Sequence, residues 1–110
     1  MGRDLCIITE DNFECALKMA RECDKQRFAT GKTNITISEE WNRERHFPYL
    51  FGVPISIKDN IEMESTAATV GLSCRANNVN DQDSPHIVCI KNSGMIPFVK
   101  TNMPQLSFNF

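Results

Sequence analysis

The stretch Asp83–Lys100, "DSPHIVCIKNSGMIPFVK", decides the fold. Its first part reads as a helix over about 84–93. Asp83 or Ser84 caps it, Pro85 sits in the first turn where a missing N–H costs nothing, and Gly94 closes it. Ile87, Val88 and Ile90 supply its expected buried side. Met95–Lys100 then reads as a strand, although Pro97 removes a ladder donor and belongs at an edge, a strand start or a bulge. Upstream, "GVPISIKDN" at Gly52–Asn60 holds a short apolar run that reads as another strand, over about 53–58. Strand, crossover containing a helix, strand is a βαβ unit, which predicts a parallel pair and an α/β fold.

Outside that unit the chain offers one further periodic segment. Phe13, Ala16, Leu17, Ala20 and Cys23 recur at spacings of three and four, predicting an amphipathic helix over about 11–28. Asp11 with Glu14 fits a capping box, Lys25 and Arg27 suit the last turn, and Gly31 is a stop. Lys32–Tyr49 is polar and irregular, with room for a helical turn from Ser38 or Glu39 through Arg45 anchored by Trp41. Pro48 then imposes extended backbone. Asn60–Gln82 is a long connection rich in Ser, Thr, Asn and Gly, and connections of that length are usually functional or disordered. Its "STAATVGLSC" has the composition of a segment that lines something.

The totals bound the possibilities. The 110 residues make one domain or less, and 41% hydrophobic with 24% charged residues is a globular composition. A net charge of -2 argues against a nucleic-acid partner. No run is long enough to serve as a transmembrane segment, and the N-terminal stretch is not a secretory signal. The five cysteines include no C-x-x-C pair, which fits reduced thiols in a cytoplasmic protein better than disulfides or zinc. No cofactor and no metal is expected, and the sequence leaves the oligomeric state open.

Short motifs carry little. "TGKT" at Thr30–Thr33 resembles the end of a phosphate loop, but Gln26 stands where the earlier glycine belongs. "NIT" at Asn34–Thr36 matches a glycosylation acceptor without a secretory route to use it. His86 and Cys89 share a helix face, yet two ligands do not make a zinc site. Lys58 is the residue that asks for a reason. Alternation places Val53, Ile55 and Ile57 on one side of their strand and Ser56 and Lys58 on the other. A strand ending on an amine either marks where the chain meets water or delivers that amine into a site.

"GVPISIKDN", then "ATVGLS", then "DSPHIVCIKNSGMIPFVKTNMPQ" is similar, in order and spacing, to the amidase signature family. The matching positions are Gly52, Val53, Pro54, Lys58 and Asp59, then Asp83, Gly94 and Lys100-Thr101-Asn102. "VGLS" at Val70–Ser73 and the ending "IPFVKTNMPQ" resemble the fatty-acid amide hydrolase branch. The glutaminyl-tRNA amidotransferase branch, a lower-ranked alternative, more often has an acidic residue where Pro104-Gln105 stand. The resemblance implies the N-terminal part of a mixed sheet flanked by helices, residues 1–110 forming a fragment of a single amidase domain. It implies a small-molecule amide substrate of hydrophobic or fatty-acid type. It also implies that Lys58 is the base of a Ser–cis-Ser–Lys triad, with Leu106 and Phe108 lining an acyl channel in a full-length relative. The physical sense is that a serine hydroxyl needs a base, and a lysine serves as one only when burial disfavours its ammonium form. No Gly-Gly-Ser-Ser-Gly-like run occurs, and the tail "PQLSFNF" is shorter than the family's usual segment. The 110-residue chain is therefore expected to be inactive and marginally folded. A non-catalytic truncated product or interaction module is the alternative from a different class.

Overall fold

The computed structural model describes residues 5–29, 48 and 50–108. The turn expected near Trp41, the helix stop at Gly31 and the "TGKT" and "NIT" patterns lie outside the described residues. In chain order the elements are strand β1 (Ile8–Asp11), helix α1 (Phe13–Ala29), strand β2 (Pro54–Lys58), helix α2 (Pro85–Asn92) and strand β3 (Ile96–Thr101). Two short 3-10 turns, Ser73–Arg75 and Gln105–Ser107, lie in the connections. The strands form a mixed sheet in the order β1-β3-β2. β2 runs parallel to β3 and β1 antiparallel to it, giving the α/β architecture.

The crossover closes tightly. Gly52 N–H donates to Gly94 O at 2.8 Å, and Ile96 N–H donates to Val53 O at 2.9 Å, so the start of β2 meets the end of α2. Gly94 has φ +85°, and a Cβ there would lie 2.7 Å from Phe51 Cα, so only glycine satisfies both the turn and the contact. Pro97 lies in the central strand, and the register shifts between Ile55 and Ser56, directly beside their partners Pro97 and Val99. The missing donor is thus absorbed at a bulge, one of the places where proline is tolerated in a sheet.

The core is small. Ile57, Met63 and Ile87 are buried together, with Ile55, Ile61 and Ile90 packed around them. Ile55 and Ile57 do face inward, but Val53 is exposed and so is Val88 on α2, where burial was expected. An eight-residue helix against a narrow sheet covers only the stripe through Ile87 and Ile90. α1 behaves likewise: Ala16 is buried, while Phe13 and Leu17 stay exposed. Phe13 still stacks on Phe98 of β3, with ring centroids 6.3 Å apart.

β1 was not read from the sequence. Asp11, expected to cap the helix, instead belongs to a strand together with Glu10, and the helix begins after Asn12. Asn12 N–H donates to Phe98 O at 2.9 Å, and Asn12 O accepts from Ala16 N–H at 2.9 Å, so one residue closes the ladder and opens the helix. Pairing with β3, not local propensity, makes this short charged stretch a strand.

Candidate active site

Lys58 ends β2, opposite Thr101 in register. The peptide group that follows it is engaged at both ends: Asp59 N–H donates to Thr101 O at 3.0 Å, and Lys58 O accepts from Ile61 N–H at 3.0 Å. The side chain itself is exposed. It lies on the side of the strand opposite Ile57, as alternation requires, and nothing among the described residues encloses it.

The residue after it is the reverse case. Asp59 is 1% exposed and its carboxylate is fully furnished. Thr69 Oγ1 donates to Asp59 Oδ2 at 2.6 Å and accepts from Gly71 N–H at 3.1 Å. Thr9 Oγ1 lies 3.4 Å from Asp59 Oδ1 and 3.3 Å from Lys100 O, so its single hydrogen serves one acceptor at a time. Burial alone would raise the carboxyl's pKa. The Thr69 hydroxyl, the Lys100 ammonium and the amides of Thr69 and Gly71 outweigh it, and the carboxyl is held below its ordinary range.

Lys100 is paired in register with Ile57, at the centre of the sheet, and is 0% exposed. Its amine donates to Ala67 O at 2.5 Å. Ala67 N–H in turn donates to Glu10 Oε2 at 3.1 Å. Burial pushes the amine's pKa down, while Asp59, Glu10 and Glu62 push it back without restoring it. Sequence reasoning had noted Lys100 only as part of a motif. A lysine closing the apolar run "MIPFVK" and an aspartate directly after a strand were the available signals.

The connection between β2 and α2 is ordered by its own polar groups. Ala67 and Val79 form an isolated antiparallel bridge. Asn80 Nδ2 donates to Thr66 O at 2.7 Å, and Thr66 Oγ1 donates to Met63 O at 2.8 Å. At its far end Asp83 accepts from Glu64 N–H at 2.9 Å and from the Lys91 amine. Burial would raise the Asp83 carboxyl, but these two partners hold it below its ordinary range. Leu106 N–H donates to Val70 O at 2.9 Å, docking the tail on this connection. Leu106 and Phe108 are 54% and 64% exposed and line no enclosed channel among the described residues. A groove of about 660 Å³ does run over β1 and β3, lined by Ile8, Val99, Thr101 and Met103 among others, without including Lys58.

His86 and Cys89 are both exposed on α2. No group of three or more candidate metal ligands occurs among the described residues. No helix among them is long and apolar enough to cross a membrane.

Known proteins share first the architecture and then the family. A solved chain from an "unexpected vestigial protein complex", reported as revealing the evolutionary origins of an s-triazine catabolic enzyme, superposes with a TM-score of 0.71. The match covers 90% of this chain and 19% of that one at 20% identity, so it speaks for the fold alone. The Amidase family model matches residues 12–110, and the chain belongs to that family. Vitamin D3 hydroxylase-associated protein of Gallus gallus is 30% identical over 110 residues, which are 100% of this chain and 21% of the relative. Fatty acid amide hydrolase 1 of Caenorhabditis elegans is 35% identical over 79 residues, 66% of this chain and 14% of the relative. The chain thus spans about a fifth or less of the length of these relatives.

Proposed function

We propose that this chain carries the lysine-bearing portion of an amide (C–N) hydrolase, with Lys58 as the base of a Ser–cis-Ser–Lys triad. The paired serines belong to a longer form, since the 110 residues hold no Gly/Ser-rich run of the required kind. The observation that carries this is the Amidase match over 12–110, which includes Lys58 at the end of β2. Similarity to a fatty acid amide hydrolase supports a hydrophobic amide as the substrate. A lysine acts as a base only when shielded from water, and Lys58 is exposed here. The 110-residue chain on its own is therefore expected to show no turnover. Its single domain would be completed by the longer form.

The test is hydrolysis of a long-chain fatty amide at neutral pH by the form extended through the paired serines, with and without Lys58→Ala. Loss of turnover in the variant supports the base. Undiminished turnover rejects it.

The second reading, a non-catalytic interaction module, is favoured by the exposed side chains Leu5, Phe28 and Phe108 and by the unpaired outer edge of β2 among the described residues. A soluble, cooperatively unfolding monomer in sedimentation and urea titration would support it; aggregation would count against it.

A further inference from the structure

We propose that Lys100 and Asp59 are positioning residues for the Lys58 amine. The inference rests on Lys58 being the base proposed above.

Among the described residues β2 is an edge strand, and its last residue is held by β3 on one side only. The end of such a strand frays unless something beyond it is tied down. Here the chain beyond Lys58 is tied at two points. Asp59, its immediate neighbour, is fixed by the Thr69 hydroxyl, and Thr69 in turn takes the Gly71 amide. Ala67 is gripped at both polar groups, its carbonyl by the Lys100 amine and its N–H by Glu10. Residues 59–71 are thereby stapled to the central strand and to β1, and the peptide group joining Lys58 to Asp59 is held with them.

Stability alone does not account for this arrangement. A buried ammonium facing Asp59, Glu10 and Glu62 is a costly way to hold a loop. Replacing all the partners of such a cluster by apolar side chains of similar volume is often neutral or better, although removing one partner alone is destabilising. What directional bonds supply is geometry. An apolar residue at position 100 would leave Ala67 O unheld, and the register of the loop over the end of β2 would no longer be specified. Lys100 has no exposed surface and so does not meet substrate; its effect passes through Ala67 and Asp59.

Two measurements test this. In the 110-residue chain, amide hydrogen exchange is followed at Asp59, the last rung of the β2–β3 ladder, and at Ile96, the first rung. Lys100→Met and the milder Thr69→Val, which removes one bond to Asp59, are expected to speed exchange at Asp59 about tenfold or more beyond any change at Ile96, which reports the loss of global stability. Equal acceleration of both rungs, or none at Asp59, overturns the proposal. In the extended form, both variants are expected to lower kcat about tenfold to a hundredfold while KM stays within about twofold. If Lys58→Ala abolishes turnover but Lys100→Met and Thr69→Val keep full kcat, positioning is wrong and the base stands. If Lys58→Ala keeps turnover, the base is wrong, and with it the role proposed for Lys100 and Asp59, whatever the exchange shows.

Discussion

Lys58 and Lys100 sit one rung apart on neighbouring strands, yet they occupy opposite states. Lys58 closes an edge strand, on the side away from the Ile57 core, and its amine is in water. Lys100 closes an apolar run in the central strand, on the Ile57 side, and its amine is sealed against a carbonyl. The same residue type becomes a solvated tip or a buried peg according to strand order and pleat. Burial by itself therefore does not assign a role to a lysine: the Lys100 amine is committed to Ala67 O, while the Lys58 amine has no enclosing partner among the described residues.

The widest gap between the two should appear in turnover. Lys58→Ala in the extended form is expected to cost about 10²–10⁴ in kcat, the usual worth of a general base. The same substitution in the 110-residue chain should move unfolding stability by no more than about 0.5 kcal/mol in urea titration. Lys100→Met should do the converse to the short chain, lowering stability by about 1–3 kcal/mol because Ala67 O and Asp59 lose a buried partner. Unchanged or increased stability would erase the distinction drawn here. Lys91 offers an intermediate case, being paired with Asp83 but about one-third exposed. Lys91→Met should cost less than about 1 kcal/mol, and less still in high salt.

The smallest effect should be the pH dependence. Asp59 and Asp83 are both held below the ordinary carboxylate range in the fold. Between the folded and unfolded values the unfolded chain binds more protons, so these groups stabilise the fold above that range and lose their contribution as the solution is acidified through it. Asp59→Asn should flatten part of that acid loss in thermal melts. Lys100 is also lowered, so stability should rise as the pH climbs toward the ordinary lysine range, and Lys100→Met should abolish the rise.

The βαβ unit was legible because each piece carries a local mark: Pro85 and Gly94 bracket α2, and the run before Lys58 alternates. β1 was not, because its identity comes from pairing with Val99, Lys100 and Thr101, residues far away in the chain. The half-covered faces of both helices were misjudged for a related reason. Periodicity tells which side of a helix is apolar, but not whether the rest of the chain is broad enough to cover it. Lys58 was visible as a motif residue, whereas the clamp of Lys100, Asp59, Thr69 and Glu10 exists only once three segments have met.

The contact between Gly52 and Gly94 also bears on how the chain assembles. The start of β2 and the exit from α2 share one hydrogen bond, so the whole intervening crossover is a loop closed at its neck. β2 and β3 cannot align until that neck forms, and its entropy must be spent before any parallel rung repays it. The helix and the polar connection should therefore gain structure early and the sheet late. A lengthened 76–82 segment, which lies inside that loop, would be felt as slower refolding before it was felt as lower stability.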